Sequence, residues 1–328
     1  MPCPWTWRVL LVFRTVLARG TAVQMFKGVL NKQSFRTFAD ISAYKMYIDK
    51  NISKPSMSKS LHDKIVEKFQ VSPFVHDEDF LLKFLQQCLP DEESAYQHYF
   101  DNGRESALRI KEIILRNQQP HGISTINVDD FSILDFASGF GMVNRHFSYV
   151  IPQAQVEACD IHPKAVAFHS QYLQLKCHPS SYDPKKLTIN KTFDVVVALS
   201  FFSHIPSQSW LPWLQSLCDR LNEGGLLIFT THGPSSSLAM REEFVDKGLK
   251  FYFKQESEQD DLEKDKYGTA CAHPNFSMKI ISQLAGMHLS EYKQGIWWGG
   301  TQDVYVLVKK GVRERRLLPG FRRFLAGI

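Results

Sequence analysis

The apolar pattern of this 328-residue chain predicts an α/β fold, a doubly wound and mostly parallel sheet with an antiparallel last strand, preceded by a helical cap. Three observations carry that expectation. From about residue 130 onward, short β-rich runs alternate with helical stretches at the spacing of β–α–β units. The last two strand-like runs are joined by a short loop containing Gly and Trp, which makes them an antiparallel hairpin at the sheet edge. Before residue 120, by contrast, the apolar residues recur at helical spacing.

Residues 1–60 are basic, rich in Phe, Trp and Ser, and only loosely periodic. They read as an N-terminal extension, either a partly helical tail or a membrane-surface or transit-like segment. Residues 61–120 form the cap, with Phe80, Leu81, Phe84, Leu85 and Cys88 on one helical face and Ala107, Leu108, Ile110 and Ile113 to Leu115 on another. Tyr96, Tyr99 and Phe100 in this cap either close over a ligand or simply pack. Pro120, Gly122 and the polar run to Asp130 mark the boundary to the main domain, 121–310. Its strands are expected at 132–136, 155–159, 193–199, 226–230, 287–292 and 303–308. Gly224 and Gly225 read as a turn before the fourth of these, and the charged run Glu256 to Lys266 as a solvated loop. Residues 311–328 are a basic tail in which Leu and Phe alternate with Arg, suited to a solvated helix or to an anionic lipid surface.

Composition bounds the function classes. At 44% hydrophobic residues the chain has material for a core, which excludes disorder as its main state. Six cysteines are scattered, with no C-x-x-C pair and no His partner at zinc spacing, so they read as reduced thiols in a cytoplasmic protein without a metal. The net charge of +5 belongs to the two ends, which carry +6 each and leave the middle of the chain at −7. The longest apolar run near the start, Val9 to Phe13, is too short for a membrane span or a secretory signal.

The most informative stretch is Ile133 to Gly141, an apolar strand running into a turn of small residues. In open α/β sheets ligands bind beyond the carboxyl ends of the strands, and Gly139 and Gly141 carry no Cβ to block close backbone approach. A dinucleotide would use the same turn. Two features speak against it: Asp135 puts a carboxylate where a pyrophosphate would sit, and the third glycine of G-x-G-x-x-G is replaced by Asn144. An ammonium suits Asp135 instead. Asp160 follows the next strand 25 residues later, at the spacing of a ribose-binding carboxylate, although a strand-end cap fits it too.

These residues resemble the class I S-adenosylmethionine-dependent methyltransferases, over about residues 95–308. The likeness runs through Asp135 to Gly141, Cys159-Asp160-Ile161, Phe193 to Ser200 and Leu221 to Ile228. More narrowly the chain resembles a bacterial-type subgroup of generic methyltransferase domains associated with glycan modification, through Ser203-His204-Ile205-Pro206, Thr230-Thr231-His232-Gly233, Tyr267-Gly268-Thr269 and Gln302 to Val306. Ala137 stands where that family most often has its first loop glycine. The resemblance implies a Rossmann-like seven-stranded sheet and S-adenosylmethionine as cofactor. Position by position it implies that Asp135, Ala137, Ser138, Gly139 and Gly141 line the methionine part, Asp160 and Ile161 the ribose and adenine edge, and Ser200 and Phe201 the floor beneath the sulfonium.

Methyl transfer is an in-line displacement at an activated carbon, so a protein positions the acceptor and removes its proton where required. His204 and His232, at the ends of two strands, are the candidate bases, each with a structural alternative as a helix-opening or packed turn residue. Tyr267, His273, Trp297 and Trp298 are candidate substrate contacts from a lid and from the hairpin loop, the tryptophans fitting a hairpin core equally well. The expected reaction is O-methylation of a small molecule or glycan. Two alternatives stand beside it: an RNA or protein methyltransferase held to a polyanion by the basic ends, and an inactive cofactor-binding scaffold in peripheral contact with an anionic membrane.

Overall fold

The computed structural model describes residues 57–118, 124–236, 250–257, 259 and 261–310. Almost all of the basic N-terminal extension and all of the tail at 311–328 lie outside the described residues, and with them the membrane-contact expectation. The chain divides into two compact units, Met1–Lys64 and Ile65–Ile328, and the fold below is that of the second together with the helix whose first residues belong to the first.

Helices occupy the first part of the described chain, as the apolar spacing predicts: α1 (Lys59–Phe69), α2 (Phe80–Cys88) and α3 (Glu92–Asn117). Helices α2 and α3 start on aspartates: Asp79 accepts from the Leu82 amide at 3.0 Å and Asp91 from the Ser94 amide at 2.7 Å, which satisfies donors a helix start leaves open. Tyr96, Tyr99 and Phe100 are buried in α3, and the Tyr99 hydroxyl donates to Asp79 at 2.7 Å, so these rings pack the cap together.

The main sheet follows: β1 (Phe131–Phe136), α4 (Phe147–Val150), β2 (Ala154–Asp160), α5 (Pro163–Phe168), β3 (Lys176–Pro179), β4 (Phe193–Ala198), α6 (Ser207–Asp219) and β5 (Leu221–His232). A two-stranded sheet, β6 (Phe251–Lys254) with β7 (Thr269–Ala272), and helix α7 (Pro274–Ile281) precede the closing hairpin, β8 (Met287–Trp297) and β9 (Gln302–Lys309). The seven strands of the main sheet run in the order β3-β2-β1-β4-β5-β9-β8. β9 is antiparallel to both neighbours, and the remaining adjacent pairs are parallel. The expected Rossmann-like sheet with an antiparallel last strand is therefore present. The hairpin closes it with the last strand inserted between β5 and β8, so that β8 forms the edge.

Alternate residues of the central strands face opposite sides, and both sides are buried. Leu134, Phe136, Val196, Ala198, Leu227, Phe229, Tyr305 and Leu307 pack under Trp210, Trp213, Leu214 and Leu217 of α6 and Ile281 of α7. The other side carries Ile133, Val195, Val197, Ile228 and Val306, all buried. Helix α3 is tied to the hairpin by Arg116 and Asn117 on Glu291, at 3.1 and 2.6 Å. The expected turn at Gly224 and Gly225 is a register shift inside β5, between the Phe193–Leu221 and Val195–Leu226 pairs. No described helix is long and apolar enough to cross a membrane.

Candidate functional site

The parallel register fixes where the polar strand ends fall. β1 and β2 pair from Phe131–Ala154 to Phe136–Cys159, which brings the loop after β1 beside Asp160. The Asp160 carboxylate, 4% exposed, accepts from the Gly139 amide at 2.7 Å and from the His162 amide at 2.9 Å. Burial raises its pKa and the backbone donors oppose that shift. Asp135, 3% exposed, lies deeper: burial pushes its pKa up to about 7, with the Asp160 charge adding to the shift and Asn144 opposing it.

Asn144, the residue in place of the third glycine, is fixed from behind. Its amide is 2.9 Å from His169 Nε2, and His169 Nδ1 is 2.8 Å from the Ala165 carbonyl. A carbonyl only accepts, so Nδ1 carries the proton and Nε2 takes the amide donor. Burial holds His169 down to about 4, consistent with a neutral ring. The loop itself turns through positive φ at Ala137, Gly139 and Gly141. A Cβ added at Gly139 would meet nothing within 4 Å, whereas one at Gly141 would strike Leu173 and Asn144. The loop thus leaves open space at Gly139, whose amide binds Asp160; that carboxylate and the neighbouring Asp135 are groups that suit a diol and a cation. Ser138 and Ile161, next in sequence to Gly139 and Asp160, are half-buried.

Arg145, 4% exposed, holds the far side of the loop. Its guanidinium donates to the carbonyls of Gly141 (2.7 Å) and Phe140 (2.9 Å) and to those of Phe74 (2.6 Å) and Ser72 (3.1 Å). Two segments far apart in sequence are joined by one side chain.

The second group of residues stands at the carboxyl ends of β4 and β5. Ser200 has φ +61 and its amide donates to Thr230 Oγ1 at 2.8 Å. The Thr230 hydroxyl donates to Gln302 Oε1 at 2.7 Å, and Gln302 Nε2 donates to Ser200 Oγ at 2.8 Å. His204 Nε2 is 3.4 Å from Ser200 Oγ, and its Nδ1 donates to the Gly268 carbonyl at 2.8 Å. The Gly268 amide returns a bond to the His204 carbonyl at 2.8 Å, and Tyr267 stacks on the His204 ring at 4.7 Å and 8°. His232 sits 6.1 Å from His204, ring to ring, with Nδ1 3.2 Å from the Ala270 carbonyl. Burial first, then His204, lowers it to about 4.

The remaining expected contacts are placed as follows. Phe201 packs edge-on against Phe136 and Trp213, at 5.0 and 5.3 Å, at the rim of the core. His273 caps α7 by accepting from the Asn275 amide at 3.1 Å. Trp297 is 1% exposed, inside the hairpin, while Trp298 is half-buried and donates to Ser106 of α3 at 3.1 Å. The stretch expected as a lid, Tyr267 to Ala270, enters strand β7. The structure brings His204, His232, Ser200 and Tyr267 together, and separately Asp135, Ala137, Ser138, Gly139, Gly141, Asp160 and Ile161.

Sequence reasoning named Thr230 and Gln302 within the motifs of the resemblance but not as site residues, and it missed Arg145 and His169. Gln302 had a signal: a buried-type strand, Val304 to Val308, opens on two polar residues, and polar groups at the head of such a strand seek partners.

A family model described as a methyltransferase domain matches residues 76–266, more than half of the chain. The chain belongs to this family. It is an S-adenosylmethionine-dependent methyltransferase. Among solved structures, this methyltransferase is similar to an S-adenosylmethionine-dependent methyltransferase from Clostridium acetobutylicum (15% identity, TM-score 0.44, 64% of this chain and 92% of that one). It is also similar to magnesium protoporphyrin IX methyltransferase from Synechocystis with bound SAH (13%, TM-score 0.44, 64% and 84%). A third is N-methyltransferase NodS from Bradyrhizobium japonicum with S-adenosyl-L-homocysteine (12%, TM-score 0.41, 71% and 100%). Among curated proteins none matches.

Proposed function

We propose that this methyltransferase O-methylates a small hydroxylated molecule or glycan, with His204 taking the acceptor's proton. One observation carries the reading: Nδ1 of His204 donates to the Gly268 carbonyl, so Nε2 is the proton-accepting nitrogen, at the carboxyl end of β4 beside Ser200. A neutral imidazole in that tautomer is a base for a hydroxyl. His232 stays neutral to about pH 4 and flanks it as a weaker base.

In this reading Asp160, held by two backbone amides, keeps its remaining lone pairs for the ribose hydroxyls, and Asp135 faces the methionine ammonium. Ala137, Ser138, Gly139 and Gly141 line the methionine part, Ile161 the adenine edge, and Ser200 and Phe201 the floor under the sulfonium. S-adenosylmethionine brings a methyl group already activated on its sulfonium, which leaves alignment and proton removal to the protein's residues. Tyr267 and Trp298 border the acceptor, with His273 and Trp297 behind them. No step calls for a metal.

Calorimetric titration with S-adenosylmethionine tests the cofactor half. Asp160→Ala should weaken binding by about 1.5–3 kcal/mol, roughly ten- to hundredfold, as a hydrogen bond to a charged group is lost. Wild-type affinity in this variant would place the pocket elsewhere. For the acceptor half, radiolabelled S-adenosylmethionine is offered with a panel of phenols, sugars, amines and RNA. Label on a hydroxyl oxygen, with a loss of about 10²-fold or more in His204→Ala, is the expected result. Label on nitrogen or RNA, or full activity of His204→Ala, rejects it.

A further inference from the structure

We propose that Gln302 and Ser200 are positioning residues that set the protonation state of His204 through a one-way hydrogen-bond chain. The proposal rests on the reading of His204 as the base. The chain begins at Thr230, whose Oγ1 accepts the Ser200 amide at 2.8 Å and whose proton goes to Gln302 Oε1 at 2.7 Å. With Oε1 so used, the amide nitrogen of Gln302 points at Ser200 Oγ, 2.8 Å away, and donates to it. Ser200 then has one proton to give, and His204 Nε2 lies 3.4 Å from its oxygen. His204 closes the chain by donating from Nδ1 to Gly268. Each of these groups donates in the same direction, and a Ser200 proton aimed at Nε2 favours the ring that carries no proton there.

The reverse orientation of the Gln302 amide would favour the opposite protonation state. Its carbonyl would take the Ser200 proton, Ser200 Oγ would become an acceptor toward Nε2, and His204 would face an acceptor on both ring nitrogens. That is the environment of an imidazolium, which is no base. Gln302 itself is 2% exposed, at the head of β9, where a buried amide has to be fully engaged. His232 and Tyr267 pack against the His204 ring, the first neutral above about pH 4 and the second stacked on its face.

The test uses the full chain labelled with ¹⁵N-histidine and saturated with S-adenosylhomocysteine, His204 being assigned by the signal lost in His204→Gln. In the wild type the two-bond ¹H–¹⁵N pattern should show a protonated Nδ1 and an unprotonated Nε2. Gln302→Glu replaces the donor by a carboxylate that only accepts, which reverses the chain and should raise the His204 midpoint by about one unit or more. Ser200→Ala removes the link: alone it should raise the midpoint by less, and in the Ser200→Ala/Gln302→Glu double variant the further rise should largely vanish. A wild-type proton on Nε2, an unmoved midpoint in Gln302→Glu, or an equal rise in the double variant each overturns the proposal, the last by reducing the effect to plain charge. Should Gln302→Glu fail to fold, the wild-type tautomer and the Ser200→Ala midpoint decide alone. These readouts need no acceptor and no turnover, so a chain that behaves as described in an enzyme whose His204→Ala variant is fully active would refute the base while leaving the chain standing.

Discussion

Asp135 carries the charge problem of the site in a single side chain. It is a carboxyl group buried to 3% exposure beside Asp160, and burial places its pKa at about 7. Because that value lies above the ordinary carboxylate range, the protonated form is favoured by folding. The stability this contributes is complete below about pH 4 and is lost as pH rises through about 7. A bound ammonium would reverse the preference by stabilising the carboxylate. Cofactor affinity should therefore climb between pH 5.5 and 7.5, and binding near pH 6.5 should release a proton. Calorimetry in buffers of different ionisation enthalpy measures that release, and Asp135→Asn should abolish it together with the pH slope. Equal enthalpies in all buffers for the wild type would show that Asp135 does not face the ammonium. Asp135 and Asp160 were legible in the sequence because each lies at the carboxyl end of an apolar strand, and strand ends in such a sheet border the ligand crevice. The Asn144–His169 pair behind Asp135 was not, since its two members lie 25 residues apart and meet only once the loop and helix α5 have their three-dimensional positions.

At the scale of elements, the loop after β1 separates two uses of glycine. Gly139 and Gly141 both have positive φ, at +55° and +78°, where an L side chain costs about 1–2 kcal/mol. At Gly139 that is the whole cost to the fold, because an added Cβ points into open space. At Gly141 the same Cβ would also strike Leu173 and Asn144, adding about 1–3 kcal/mol of overpacking. Gly139→Ala should thus unfold in urea within about 2 kcal/mol of the wild type while losing most of its S-adenosylmethionine binding, and Gly141→Ala should lose more stability than that. The opposite ranking in stability would mean that the loop is shaped differently. The sheet's central strands were legible for the reason that both their faces are buried, which leaves long apolar runs. Strands β3, β6 and β7 were not. Each is four residues long, β3 and β6 are half-exposed and partly charged, and β7 follows directly on the charged loop that hides its start.

Over the whole molecule, each working group comes from several distant segments. The chain that ends on His204 draws Ser200 from the end of β4, Thr230 from β5, Gln302 from β9 and Gly268 from the strand pair inserted before the closing hairpin. Antiparallel pairing of β9 with β5 sets His232 opposite Gln302 and Thr231 opposite Asp303, so the first residues of the last strand arrive where the fifth strand ends. The local pattern at the head of β9 signals that Gln302 needs a partner but not which one, so the strand ends were legible while their pairing was not. Arg145 does the same for the cofactor loop: its guanidinium joins the carbonyls of Phe140 and Gly141 to those of Ser72 and Phe74 and lies over the rings of Tyr99 and Phe100, at 5.5 and 5.1 Å. Arg145→Met keeps much of the side-chain length and removes every donor. Four carbonyls, three of them buried, lose a charged partner at once, and the loss should be at least about 3 kcal/mol in urea denaturation. The loop would also be released from the segment that holds it, so S-adenosylmethionine should bind more weakly at temperatures where the variant remains folded. A binding loss without a stability loss would assign Arg145 to the ligand itself, and neither loss would mean that the segment at Ser72 to Phe74 and the loop are held together by their packing alone.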